Sequence, residues 1–274
     1  MNINECLRGV FYFCNRYFLR RKFLTAQIPE FNLQMKFKTE DAAGRRMYRR
    51  RNYEPHLTAF VRKNVQLSEE DIAIDVGGNL GWFTLLLSQT TKGIVHSFEP
   101  DPLNFELLSH NVSVNGAKRV TLNQCAVADK EEKMTLFLYP DKNRGRHSLL
   151  PINDGETVEV ETIQLDNYCE RNNIDPAKVK FVKIDIEGFE PQALRGASSL
   201  LSTEAIFLVE FVPHYMEKGG VSINEYLEFM YSFGLEAYKI DENTSTAEKI
   251  DRNFLIAQRD PLDLIWAQGK RSFD

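Results

Sequence analysis

Cysteine is scarce in this chain. Its 274 residues include four, Cys6, Cys14, Cys125 and Cys169, with no C-x-x-C pair and no histidine neighbours at zinc-ligand spacing. The fold therefore does not rest on disulfides or a structural metal, and reduced thiols point to the cytoplasm. Long apolar runs are missing too. The longest near the N-terminus, Gly9–Cys14, is too short for a secretory h-region or a membrane span, and Arg16 and Arg20-Arg21-Lys22 follow it. There are no repeats and no low-complexity segments.

Charge is present but uneven. The net charge is −5, yet residues 1–51 carry twelve Lys or Arg against four acids, giving +8 and leaving −13 for the rest. An acidic body excludes a protein wrapped by nucleic acid, whereas the basic arm asks for an anionic partner, a membrane or an acidic glycan. Length and composition fit one large domain with an appendage, expected as a basic extension over 1–50 and a main domain over 51–274.

What the chain does contain is a strand–turn–helix signature. Asp71-Ile-Ala-Ile-Asp75 reads as a strand, Asp75-Val-Gly-Gly-Asn-Leu-Gly81 as a glycine-rich turn, and Trp82 to Ser88 as a helix. The glycine spacing is D-x-G-x-x-x-G and not G-x-G-x-x-G. Asp75 at the strand end repels a pyrophosphate and attracts a cation. Glu99 ends the next strand, Gly93–Glu99, where a ribose diol lies in such folds. A nucleoside with a cationic amino-acid tail satisfies both acids, and S-adenosylmethionine is such a molecule.

Strands at 71–76, 93–99, 120–126, 180–186 and 205–211 alternate with helices at 80–90, 102–115, 165–173, 190–201 and 222–233, which predicts βαβ units. Met134–Tyr139 and Thr157–Ile163 pair around the polar loop Pro140–Gly155. Leu235–Ile240 and Asn253–Gln258 are too close for a helical crossover and are expected as an antiparallel hairpin at the sheet edge. The expected fold class is α/β, a Rossmann-like class I methyltransferase layout with a mainly parallel seven-stranded sheet and an antiparallel edge strand. A helix over His56–Val65 leads into it.

With these residues in view, the chain resembles the FkbM family of S-adenosylmethionine-dependent methyltransferases over about residues 50–235. The matching segments are Asn52–Pro55, Ile74–Thr84, Ser97–Pro100, Asn111, Ala126–Ala128, Thr162–Asp166, Val182–Glu190 and Leu208–Phe211. The string Lys183-Ile-Asp-Ile-Glu-Gly-Phe-Glu190 is the most specific. Gly78 stands where the family more often has alanine. The resemblance implies O-methylation of sugars, glycolipids or secondary metabolites.

The turn residues Gly77, Gly78, Asn79 and Gly81 let the backbone approach a ligand, and the helix N-terminus can meet its carboxylate. Asp75 is expected near the methionine amino group or sulfonium, and Glu99 on the ribose hydroxyls. Asp101 and Asn104 either reach the adenosine or cap helix 102–115. Cys125, Ala126 and Val127 border the adenine, and Glu54 closes over the cofactor. Thr84 and Pro100 lie inside the matching segments and are carried over with them.

Four residues are candidates for the chemistry. Asp185 and Glu187 follow the fourth strand, Glu210 ends the fifth and His214 lies just past it. An alcohol needs a group to take its proton as it attacks, and a carboxylate or His214 can do so. Glu190 reads first as a helix N-terminal acid, and Lys183 as an ion-pair partner or a residue of the opposite face. His147 and Ser148 in the polar loop are candidate substrate contacts.

No N-P-P-Y or D-P-P-Y string accompanies the fold, so amino-group methylation of nucleic acid is not expected. Glu210-Phe211 lacks the acid–asparagine pair of metal-assisted O-methylation, and no metal is expected. A dinucleotide-binding oxidoreductase and a non-catalytic S-adenosylmethionine-binding module stand beside the methyltransferase reading. The expected acceptor is a hydroxylated small molecule or glycan. Residues 3–24 read as a basic amphipathic helix with Leu7, Phe11, Cys14 and Phe18 on one face. That helix fits either peripheral contact with the inner membrane surface, packing on the domain, or a homodimer interface.

Overall fold

The computed structural model describes residues 3–152, 154–269 and 271–273, and of residues 141 and 142 the backbone alone. The expected segments 1–50, 51–274 and Pro140–Gly155 each include residues outside that set and are followed over the remainder.

The basic arm is more ordered than its sequence promised. Helix α1 (Ile3–Phe13) continues through a π-helical turn at Cys14–Phe18 and stops there, short of residue 24. Arg20 takes a left-handed φ of 48°, which no helix continues through. The chain then enters strand β1 (Phe23–Ile28), paired antiparallel with β2 (Leu33–Lys38). Alternate residues Leu24, Ala26 and Ile28 face inward, the period of a half-buried strand. Helices α2 (Ala42–Arg50) and α3 (Pro55–Asn64) follow. Phe37 and Met47 from this arm share one hydrophobic cluster with Phe60, Phe83 and Leu86 of the main body.

The first half of the main sheet is β3 (Ile72–Val76), α4 (Trp82–Thr90), β4 (Ile94–Phe98), α5 (Pro102–Val114) and β5 (Val120–Asn123). A three-stranded flap then forms from β6 (Ala126–Val127), β7 (Lys133–Phe137) and β8 (Thr157–Ile163). The expected antiparallel pairing of its two longer strands is present. Next come α6 (Leu165–Arg171), β9 (Val179–Ile184), α7 (Glu190–Arg195), α8 (Ser198–Leu201), β10 (Ile206–Phe211), α9 (Pro213–Lys218) and α10 (Ile223–Ser232). The last part is β11 (Leu235–Ile240), β12 (Ala247–Lys249), α11 (Arg252–Ala257) and β13 (Leu262–Gln268).

The sheet runs β12-β11-β13-β10-β9-β3-β4-β5, eight strands among the described residues where seven were expected. The layout is otherwise the mainly parallel, Rossmann-like one read from the sequence. The C-terminal region departs from expectation. Residues 253–257 belong to α11, because the Asp251 side chain caps that helix by accepting the Phe254 N–H at 2.8 Å. The antiparallel partner is β13, and it lies inside the sheet between β10 and β11. Leu264, Ile265, Trp266 and Ala267 are all fully buried, so this strand needs cover on both faces and cannot sit at an edge. Short β12 takes the edge instead.

Strand order reverses between β3 and β9. That switch point opens a crevice beyond the carboxyl ends of the two strands.

Candidate active site

The turn after β3 is held by close contacts that only glycine permits. Gly77 has φ +85°, and a Cβ there would lie 2.0 Å from the Asp185 carbonyl oxygen. A Cβ on Gly78 would lie 2.4 Å from Ser97 Oγ. The N–H groups of Gly77 and Gly78 both donate to the Phe98 carbonyl, at 3.0 and 2.9 Å. Glu99 reaches back from the next strand end. Its Oε2 accepts the Asn79 N–H at 2.7 Å and its Oε1 the Asp101 N–H at 2.9 Å. Burial pushes this carboxyl up to about 8.

These elements wall a cavity of about 320 Å³ at the switch point. Of the residues expected at a cofactor, Glu54, Gly77, Gly78, Asn79, Glu99 and Pro100 line it, as do Asn104, Ala126 and Val127. The candidate catalytic acids Asp185, Glu187 and Glu210 line it as well.

Five expected site residues stand elsewhere. Asp75 is fully buried behind the turn, where its Oδ2 accepts the Thr84 hydroxyl at 2.6 Å. Thr84 Oγ1 also meets Ser97 Oγ at 2.9 Å, so Asp75 and Thr84 brace the turn from beneath and do not face the cavity. Gly81 begins α4, its carbonyl accepting Leu85 N–H at 2.9 Å. Asp101 caps α5 by accepting the Asn104 N–H at 2.9 Å, the capping role foreseen as its alternative. His214 is exposed in the first turn of α9, its ring 4.1 Å from that of Tyr215, and it does not line the cavity.

The cavity wall gathers carboxyls. Glu54, at a left-handed φ of 42°, is pushed up to about 7 by burial and by Asp185, with Lys183 opposing. Glu187, at φ 54°, is pushed up to about 8 by burial and Asp185, with Arg146 opposing. Arg146 Nε stands 3.6 Å from Glu187 Oε2, and its Nη2 donates to the Tyr215 hydroxyl at 3.1 Å. Glu210 is held well above the ordinary range by burial and then by Asp185 and Glu187. Lys183 answers these acids. It lies opposite Asp75 in the strand register and donates to Asp185 Oδ2 at 2.9 Å. Burial alone would lower it, but Asp185, Asp75 and Glu54 outweigh that and raise it. Glu190 is different, because its Oε1 accepts the Ile186 and Gly188 N–H groups at 3.0 and 3.1 Å and clamps the loop at the start of α7.

Sequence reasoning missed the arginines. Arg144 is buried and bonds Asp101 through its guanidinium, Asn104 Oδ1 at 3.3 Å, and Asp41 Oδ1 through its own backbone N–H at 3.1 Å. It ties the polar loop to the caps of α5 and α2. The segment Arg144-Gly-Arg-His-Ser148 between two antiparallel strands was the available signal. Within it, His147 and Ser148 do line the cavity. Ala42, Ala43, Arg46 and Met47 add a wall from α2, so the N-terminal arm contributes to the site.

A profile of the methyltransferase FkbM domain matches residues 75–238. The chain belongs to the FkbM methyltransferase family. Among curated relatives, the 31-O-demethyl-FK506 methyltransferase FkbM of Streptomyces tacrolimicus is 28% identical, over 50% of this chain and 63% of that protein. The hexuronic acid methyltransferase AglP of Haloferax volcanii is 27% identical, over 53% of this chain and 57% of its own length. The chain thus spans less than two thirds of either relative. Among solved structures, the precorrin-6y C5,15-methyltransferase of Geobacter metallireducens aligns with a TM-score of 0.44 at 14% identity, covering 80% of this chain and 89% of that one.

The FkbM site fits S-adenosylmethionine, the methyl donor of the family. Asn79 Oδ1 and Glu54 Oε2 are buried without hydrogen-bond partners. The glycine turn leaves a cradle that a Cβ would fill. Glu99 offers a fixed carboxyl for a diol, and the other acids of the lining suit a cationic centre.

Proposed function

We propose that this FkbM methyltransferase transfers a methyl group from S-adenosylmethionine to a hydroxyl of a sugar, glycan or similarly hydroxylated metabolite. The observation that carries the reading is the convergence of Glu54, Asp185, Glu187 and Glu210 on the cavity that the glycine turn also lines. The activities for which two relatives are named, on a demethylated FK506 and on a hexuronic acid, support an oxygen-rich acceptor.

Bound S-adenosylmethionine supplies an electrophilic methyl group on a sulfonium. Glu99 and the backbone of Gly77–Asn79 would hold its nucleoside part, and Asn104, Ala126 and Val127 would flank it. The ionised Glu187 carboxylate, steadied by Arg146 and raised to a value of about 8, takes the proton from an acceptor hydroxyl at Oε2 and becomes a neutral carboxyl as the oxygen attacks. Glu210, its carboxyl held well above the ordinary range by burial and the neighbouring acids, lines the same cavity and orients the acceptor. Asp185 is held in place by Lys183. The four cysteines are free, which suits the reducing cytoplasm.

The test is label transfer from methyl-tritiated S-adenosylmethionine to a panel of free sugars, nucleotide sugars and glycolipids, with mass spectrometry of the products. Methyl ethers on hydroxyl acceptors are expected. S-adenosylmethionine binding without turnover on any acceptor would favour a binding module. Tighter NAD binding by calorimetry would overturn the cofactor as well.

A further inference from the structure

Helix α1 presents two unlike faces. One is fastened to the body: Tyr12 is buried with its ring 6.0 Å from Tyr48, and its hydroxyl donates to the Thr39 carbonyl. Arg8 Nε donates to the Arg49 carbonyl at 2.6 Å, and Glu5 faces Arg50 at 3.7 Å. The opposite face carries Leu7, Val10, Phe11 and, at the end of the π-turn, Phe18, between 52% and 74% exposed. The stripe therefore does not pack on this chain. Nine of the twelve exposed large apolar side chains among the described residues fall in residues 3–23. Such a concentration marks an interaction surface.

The charge beside the stripe selects the partner. Arg20, Arg21 and Lys22 are exposed directly after it, and Glu5, already facing Arg50, is the sole acid of residues 3–24. A second copy docked stripe to stripe would bring this cation cluster no free acid from its own residues 3–24. An anionic bilayer receives both the aromatic stripe and the cations.

We infer that α1 and its π-turn lie in the interface of an anionic membrane, with Leu7, Val10, Phe11 and Phe18 entering the acyl boundary and Arg20, Arg21 and Lys22 on the headgroups. No helix among the described residues is long and apolar enough to cross a membrane, so the contact is peripheral. It also has a bearing on the cavity. Helix α2 lines the cavity through Ala42–Met47 and holds α1 through Arg49 and Arg50. Nine residues of helix span about 13 Å, so docking brings the cavity wall close to the lipid.

The test is co-sedimentation of the full chain with phosphatidylcholine vesicles, with and without phosphatidylglycerol. No turnover is needed, so the outcome is independent of methyl transfer. The chain is expected to pellet with the phosphatidylglycerol vesicles at low salt and to be released as the Debye length falls from about 10 Å at 0.1 M to about 3 Å at 1 M. Replacing Arg20, Arg21 and Lys22 together with glutamine is expected to weaken partitioning about a hundredfold, at roughly one kcal/mol per cation. The pair Phe11→Ser and Phe18→Ser, both at exposed positions, is expected to abolish pelleting while the circular dichroism spectrum stays unchanged. Negligible pelleting of the unaltered chain, or equal and salt-insensitive pelleting on both lipids, would overturn the inference. So would light scattering that shows a dimer which the serine pair dissolves.

Discussion

The carboxylate of Glu99 and the backbone N–H of Asn79, twenty residues apart in sequence, are joined at 2.7 Å. This bond fastens the turn after β3 to the end of β4, and the second oxygen of Glu99 fixes the start of α5 through Asp101. One side chain thereby sets the cavity floor, while each oxygen keeps a lone pair for a ligand hydroxyl.

Glu99→Gln is expected to weaken S-adenosylmethionine binding at least tenfold and to lower stability. The amide can accept only through its one oxygen, so one of the two backbone donors loses its partner, at about 1–3 kcal/mol. Calorimetry and urea unfolding check both parts. Unchanged affinity would remove Glu99 from the cofactor site.

Stability of the ligand-free protein is expected to fall from about pH 5 to pH 8. Glu54 and Glu190 near 7, and Glu99 and Glu187 near 8, are all raised from 4.5. The folded state keeps protons that the unfolded chain releases above 4.5. Their contribution is therefore complete below that pH and lost as pH rises through the folded values. The surface acids held low, such as Glu70 and Asp241, act below this window. Thermal unfolding across the range should show the decline, and Glu187→Gln should flatten it.

Methyl transfer by Glu187→Gln is expected to drop by about 10²–10⁴-fold, the span of a lost general base. Affinity for S-adenosylmethionine should stay within a few fold. The rate of the unaltered enzyme should climb toward pH 8, and that limb should vanish in the variant. Collapse of cofactor affinity with a normal rate at saturation would make Glu187 a binding residue.

Gly78→Ala is expected to destabilise the fold by about 1–3 kcal/mol through overpacking, because its methyl would meet Ser97 Oγ at 2.4 Å. Adding Ser97→Ala removes that oxygen and should recover part of the loss. A urea double-mutant cycle reads the coupling. Gly116→Ala is the control: its φ is also positive, at +64°, but no atom lies within 4 Å of the added Cβ.

What the sequence made legible was local. The turn from Gly77 to Asn79, Glu99 at a strand end, and Asp185 and Glu187 past β9 could be placed on the cavity because each position follows from one short segment. Asp75 shows the limit. Standing near the end of a strand does not say which face its side chain takes, and Asp75 points inward, where it pairs with Thr84. His214 was placed near the right edge, but the first turn of α9 aims it at solvent. Arg144 was invisible because its partners Asp101 and Asp41 lie 43 and 103 residues upstream. The arm hid in the same way. Its alternation of Leu24, Ala26 and Ile28 marks a strand, yet the apolar stripe before it suggested that the helix ran on.

The position of β13 has a consequence for synthesis. Because it separates β10 from β11, neither strand has its final neighbour until residues 262–268 leave the ribosome. Until then β10, with Phe207, Leu208 and Val209 ready for burial, offers an open edge to any passing strand. The nascent chain is thus most vulnerable to aggregation late, after the cavity-forming residues have been made, and a ribosome stalled before Leu262 would release a chain with its sheet unfinished.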